Sequence, residues 1–232
     1  MHKLLAAASL CLSCIITNAQ TTADTSVNAS YNKKIAAYGD LYYGIEHLGY
    51  TQKMNGTPYF ESTEWQKGNV IYNNVLYKDV MLKYDLAADE LIVLHPNNFF
   101  GVTLVTDKVQ SFTISNNEFI YVPARNKLGL KQSGFYQVLV NGKLSILAKR
   151  SKVIEEKTSV GEVERNVESK EQYYAVKDGA ATSVNNEESV MGLLGDQARA
   201  VRTYLRTRDI KFRKSKELAL FEIATYYNQL AK

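Results

Sequence analysis

Apolar positions along this chain come in short runs, and the period of those runs changes once. Through the middle, residues 70–72 and 75–77 are separated by Asn73-Asn74, and 112–114 and 119–122 by a turn containing Asn116-Asn117. Residues 135–140 and 144–148 flank Asn141-Gly142, and 173–176 is joined to the segment ending at Val184 through Asp178-Gly179. Asn and Gly tolerate the positive φ that tight hairpin turns need, so the series predicts antiparallel hairpins. Residues 91–94 and 99–105, on either side of Pro96-Asn97-Asn98, predict a further pair with a longer loop.

The runs alternate unevenly. Leu144, Ile146 and Ala148 oppose Lys143, Ser145 and Lys149, the pattern of a strand with one wet face, whereas Leu91-Ile92-Val93-Leu94 is apolar throughout and predicts burial on both faces. A meander curled into a sandwich or a partly open barrel supplies both environments. Residues 149–171 carry mixed charge with few large apolar side chains, which predicts a solvated connection.

Near Glu187 the period lengthens. Val190, Leu194, Val201 and Leu205 fall at helical spacing with Ala198 on the same side, and Leu220, Ala224, Tyr227 and Ala231 mark a second helix behind a cap at Ser215. Ile210 and Phe212 in the link should anchor it. These apolar stripes are too short to be stable alone, so the hairpin is expected to pack on the β-body. The fold class is therefore α+β, mainly β: an antiparallel meander with a C-terminal αα-hairpin. The expected division is residues 1–19 as leader, 20–37 as a flexible lead-in rich in Thr, Ser and Asn, 38–185 as the β-rich body, and 186–232 as the helical hairpin.

The leader reading rests on Lys3, an apolar run over 4–16 and the small-residue exit Thr17-Asn18-Ala19, the pattern of a Sec signal peptide cleaved before Gln20. Both cysteines, Cys11 and Cys14, fall inside it, so the mature chain has no thiol for a disulfide or thiolate site. The rival, a lipidated Cys14, lacks the lipobox Leu. Export implies a periplasmic or secreted protein, with peripheral outer-membrane association open to it and no transmembrane span in the mature chain. Without the leader, 27 Lys+Arg face 24 Asp+Glu, too mild a balance to imply nucleic acid.

Charge is local instead. Arg199, Arg202 and Arg206 line one helical stripe, continued by Arg208, Lys211, Arg213, Lys214 and Lys216. Such clustering suits an anionic partner, a lipid headgroup or an envelope polysaccharide, or forms a solubilising face. An envelope protein is the remaining class of partner. The second surface is aromatic: Tyr42, Tyr43, Tyr59 and Trp65 are candidates for a ligand platform, although tyrosines, sixteen in all, also suit half-buried strands.

Catalytic signatures are missing. His47 and His95 are the mature chain's histidines, too few for a three-histidine zinc site, and no Walker loop, G-x-G-x-x-G or G-x-S-x-G elbow occurs. No cofactor or metal is expected. A pair of carboxylates, as in a carbohydrate-active hydrolase, is the enzymatic alternative to a non-enzymatic binding or structural role.

The runs Thr57-Pro58-Tyr59-Phe60, Glu64-Trp65-Gln66-Lys67-Gly68 and Val75-Leu76-Tyr77-Lys78-Asp79-Val80 stand out, as does Tyr84-Asp85-Leu86. With Gly134-Phe135-Tyr136, Tyr173-Tyr174 and Tyr226-Tyr227-Asn228-Gln229-Leu230, they resemble a family of exported Bacteroidota proteins. That resemblance implies an envelope location and carries no activity, ligand or catalytic residue with it.

Overall fold

Turn chemistry sets the sheet. In the computed structural model, which describes residues 39–159 and 162–231, a short strand β1 (Ile45–His47) precedes the hairpin of β2 (Gln66–Tyr72) and β3 (Val75–Asp85). Asn73 and Asn74 join them at φ of 51° and 64°, the paired left-handed conformations of a tight hairpin. Next come β4 (Glu90–Leu94), β5 (Gly101–Thr103), β6 (Val109–Ile114) and β7 (Asn117–Val122). The β6–β7 turn residues are Ser115 (49°) and Asn116 (63°), one position earlier than expected, and Asn117 is already strand. The series ends with β8 (Gly134–Val140), β9 (Leu144–Ser159), β10 (Glu162–Lys177) and β11 (Ala180–Ser183), the last pair turning at Asp178 (51°) and Gly179 (78°). The expected leader, residues 1–19, and lead-in, residues 20–37, lie outside the described residues.

The eleven strands among the described residues belong to one antiparallel sheet in the order β1-β5-β4-β3-β2-β6-β7-β8-β9-β10-β11. Two meanders thus grow in opposite directions from β2. The chain runs outward to β5, crosses back through the 3-10 turn Thr106–Lys108, and pairs β6 with the other edge of β2. The sheet then curls, because the Leu86 carbonyl after β3 accepts from the Lys152 amide of β9 at 3.0 Å.

Inside the curl, rings fill the core. Phe112 and Phe119 stack at 4.8 Å, and Tyr84 meets Phe112, Phe119 and Phe135 edge-on at 5.2, 5.1 and 5.6 Å. A phenol this deep needs a partner, and the Tyr84 hydroxyl donates to Asp89 Oδ1 at 2.6 Å. Burial, followed by the Asp89 charge, pushes the Tyr84 phenol well above its ordinary pKa. Asp89 Oδ2 accepts from Lys149 at 2.6 Å, which explains why Lys149 is buried rather than on a wet face. Gly134, at φ 116°, closes over this pair, and a Cβ there would collide with Asp89 Oδ2 and Lys149 Nζ.

The face of β9 opposite Lys149, which is the side that bears the rings, carries the helices. Asn186 caps α1 (Glu187–Met191) by accepting from the Ser189 amide, completing a reciprocal capping box. Gly192 and a 3-10 turn at Gly195–Gln197 then interrupt the expected first helix, which resumes as α2 (Ala198–Thr207). The final helix is α3 (Lys216–Leu230); Ser215 stands at its N-cap position but makes no side-chain cap bond. Leu194, Leu205, Phe212, Leu220 and Tyr227 are all buried, in one cluster with Leu144, Ile146, Ala148 and Tyr173 of the sheet. Asn228 adds a polar stitch, accepting from the Leu144 amide at 2.8 Å and donating to its carbonyl at 2.9 Å. Among the described residues no helix is long and apolar enough to cross a membrane.

Residues 149–171 correct the sequence reading. They are not a solvated connection but most of the long β9–β10 hairpin, in which Arg150 opposes Glu171, Glu156 opposes Arg165 and Lys157 opposes Glu164. Opposite charges directly across an antiparallel ladder support pairing, so mixed charge here marks strands. Asn55 braces this arm, donating its amide to the Arg165 carbonyl at 2.8 Å and accepting from the Val167 amide at 3.0 Å.

Candidate functional site

Three places bring chemistry-bearing side chains together. The first is the aromatic region, and the structure divides its four candidates. Tyr59 is buried and shares a 2.9 Å hydrogen bond with His47 Nε2. Trp65 lies over Gly101, where a Cβ would strike the indole, and the Lys83 ammonium sits 4.4 Å from the Trp65 ring and 5.4 Å from that of Tyr59. Tyr42 instead meets His95 edge-on at 5.6 Å, His95 in turn stacks on Phe100 at 4.6 Å, and Tyr43 is 81% exposed. Lys83 therefore unites Tyr59 and Trp65, while Tyr42 packs on His95 and Tyr43 faces solvent.

Behind Tyr59 the polar groups are wired inward. Buried Asp85 accepts from the Ala87 and Ala88 amides at 2.8 and 3.1 Å and from the Tyr50 hydroxyl at 2.8 Å. Burial raises the Tyr50 pKa, with Asp85 adding to the shift. Burial also lowers His47 and Lys83, opposed by Asp85 and Glu90 for the first and by Glu64 for the second. The contacts of Asp85 hold the β3–β4 turn and tie Tyr50 to it, so its role is architectural.

The second place is a cleft of about 300 Å³ where β7 to β10 meet α3, bordered by Glu61, Asn117, Gln137, Arg150, Glu171 and Glu217. Its geometry runs as a chain of donors and acceptors. Buried Gln137 donates to Asn117 Oδ1 at 2.7 Å and accepts from Arg150 Nε; Arg150 then reaches Glu171 at 2.5 Å and Glu217 at 2.6 Å. The Tyr173 hydroxyl lies 2.5 Å from Glu171 and 2.8 Å from Glu217. Burial alone would lower the Arg150 pKa, but the Glu217 hydrogen bond and the charges of Glu217 and Glu171 raise it. Three carboxylates border this cleft, yet Arg150 and Tyr173 occupy Glu171 and Glu217, and Glu61 accepts from Asn117 Nδ2 at 3.3 Å. The use of Arg150 and Tyr173 is to clamp α3 to the sheet.

The third place is the basic end of the helical cap. Residues 199–216 hold eight of the chain's 28 Lys+Arg but only Asp209 of its 24 Asp+Glu, which leaves 20 basic and 23 acidic residues elsewhere. The positive net charge of +4 is thus entirely the property of this segment. Of the three stripe arginines, Arg202 and Arg206 share a cleft of about 1030 Å³ with Lys211, Arg213, Lys214 and Lys216, floored by Leu205, Ile210 and Phe212. Arg199 lines a different depression, beside Asp196 and Tyr226. Arg202 is held by both oxygens of Glu188 at 2.7 and 3.0 Å, and Lys211 by Asp209 at 3.3 Å. Arg206, Arg213 and Lys214 have no ion-pair partner among the described residues.

The charge run made this cleft visible in sequence, but two of its features were not. Glu188 was hidden because it reaches Arg202 from α1 across a break in the helical period. The other is a stack on the neighbouring face: Tyr204 lies 4.1 Å from Tyr226, nearly parallel, with the Arg208 guanidinium 5.1 Å above it. Aromatic rings accompany these arginines: Tyr204 lies between Arg202 and Arg206 in α2, and Tyr226 is contributed by α3.

Fold and clefts together define a mainly antiparallel β protein with a basic helical cap. Comparison of the chain with known protein families, curated proteins and solved structures finds no match.

Proposed function

We propose that this is a non-enzymatic, exported envelope protein that binds an anionic partner through the cleft between α2, the α2–α3 link and the start of α3. The observation that carries the reading is the three cations, Arg206, Arg213 and Lys214, that line one open cleft without internal ion pairs. Six basic side chains against two carboxylates, Glu187 and Glu188, leave the cleft with a field that draws negative charge, and apolar Phe212 at the floor lowers the local dielectric. Surface arginines that merely aid solubility have no need to converge on a cleft. The signal-peptide pattern and the resemblance to exported Bacteroidota proteins support a periplasmic or secreted location. A hydrolase based on Glu171 and Glu217 is disfavoured, since a sugar and a water would have to displace Arg150 and Tyr173 from both carboxylates.

The test is a binding series on the chain beginning at Gln20, which retains every described element, using dextran sulfate and anionic lipid vesicles as probes. At least one should bind, with affinity that falls as salt rises. Absence of binding to both would remove the reading.

A further inference from the structure

We infer that the basic end of the cap docks on an anionic lipid bilayer, with phosphate headgroups at the cleft cations and the outward stripe of α3 in contact with the acyl boundary. This rests on the anion-binding reading above and names its partner. The discriminating observation is apolar. Leu218 and Phe221 are 50% and 45% exposed, one turn apart on α3. Leu220, Ile223, Ala224 and Tyr227 on the other side of the same helix are buried against the sheet, so the exposed pair is held outward on a fixed support.

Cations and apolar side chains are contiguous. Lys216 lines the basic cleft and also the smaller depression that Leu218 borders with Glu171 and Glu217, both ion-paired to Arg150. A soluble polyanion would use the cations and leave Leu218 and Phe221 in water. A bilayer uses both, attracting Lys and Arg to its phosphates while large apolar side chains enter the headgroup boundary. The distribution of charge adds orientation, because the remainder of the chain carries more acidic than basic residues and is repelled by the same surface.

The experiment is co-sedimentation of the chain beginning at Gln20 with phosphatidylcholine vesicles, with and without phosphatidylglycerol, beside a solution titration with dextran sulfate. Binding is expected to the phosphatidylglycerol vesicles only and to weaken with salt. At about five-fold per charge, R206Q/R213Q/K214Q should lower partitioning on the order of 100-fold. L218S/F221S should lower it about ten-fold while leaving dextran sulfate binding unchanged. Both variants replace exposed side chains, and unchanged denaturant midpoints establish that they fold; charge reversal with R206E/K214E gives a second reading of the same term. If dextran sulfate binds but phosphatidylglycerol vesicles do not, or if L218S/F221S partitions like the parent, the lipid inference is overturned and anion binding stands. If neither probe binds, both fall.

Discussion

The two faces of β9 are buried by different means. On one face Leu147 packs with Val122, Leu130 and Tyr136, and the neighbouring Lys149 is held by Asp89, the partner of Tyr84. Toward the helices, Leu144, Ile146 and Ala148 meet a mostly aliphatic layer supplied by the last 50 or so residues, with Asn228 as its polar stitch. The ring core inside the curl lies on the same side of the sheet as this layer, since Phe119 opposes Gln137 and Gln137 opposes Ala148. The helical layer is contributed by one contiguous segment, joined through a single strand connection and clamped by Arg150–Glu217. The layer can thus carry a functional surface without exposing the rings beside it.

The largest effect should come from the inner core. Phe112→Ala removes a ring that contacts Phe119, Tyr84 and Phe135, and ring truncations in packed cores cost about 3–5 kcal/mol. The outcome should be a lower midpoint in denaturant for sheet and helix signals alike. Leu220→Ala, fully buried under α3, should cost about 2–4 kcal/mol. Here the comparison can break. If the helical signal is lost at lower denaturant than the sheet signal, the cap is a separable unit; a coincident shift would make the two cores one cooperative block. Arg202→Ala is the control, since an exposed ion pair of this kind contributes at most about 0.5 kcal/mol.

A smaller effect isolates the stitch. Asn228→Ala deprives the Leu144 amide and carbonyl of their side-chain partner and should cost about 1–2 kcal/mol, detectable as faster amide exchange at Leu144. Asn228→Asp sharpens the result. It preserves the acceptor toward the Leu144 amide but turns a carboxylate oxygen toward the carbonyl, so it should be no better than alanine.

How much of this was legible in sequence depends on the range of the interaction. Hairpins announced themselves where two adjacent turn residues meet the demand for positive φ, as at Asn73-Asn74 and Asp178-Gly179, whereas the β3–β4 turn, with positive φ at Asp89 alone, did not. The crossover that sets β6 beside β2 left no local mark, since Thr106–Lys108 is an ordinary turn whose consequence is long-range pairing. The β9–β10 arm was hidden for a related reason: Glu156 and Arg165 read as scattered charges until register places them opposite each other. Among site residues, the arginine stripe was visible by helical period, whereas Tyr42, Tyr43, Tyr59 and Trp65 are near in sequence yet form no single platform. Proximity along the chain predicted a platform there; His95 and Lys83, from β4–β5 and β3, divide it.

The smallest predicted effect concerns pH and the sheet region around His47, far along the chain from the cap. Burial lowers the folded-state pKa of His47 below its ordinary 6.5, against the opposing charges of Asp85 and Glu90. Above that value both folded and unfolded chains hold a neutral ring, and His47 contributes no pH dependence. As pH falls below about 6.5 the unfolded chain takes up the proton first, so stability declines, then levels off once pH passes through the lowered folded value. Because the ring is only half-buried, solvent screening should limit the loss to about 0.5 kcal/mol. His47→Gln keeps a hydrogen-bonding partner for the Tyr59 hydroxyl and removes the titration. Denaturant midpoints taken between pH 7.5 and 5.5, the interval that brackets the ordinary histidine value, should fall for the parent and stay flatter for the variant. Parallel curves would mean that the ring charges as easily in the folded chain as in the unfolded one. The inward wiring of Tyr59 would then be looser than its 2.9 Å contact with His47 indicates.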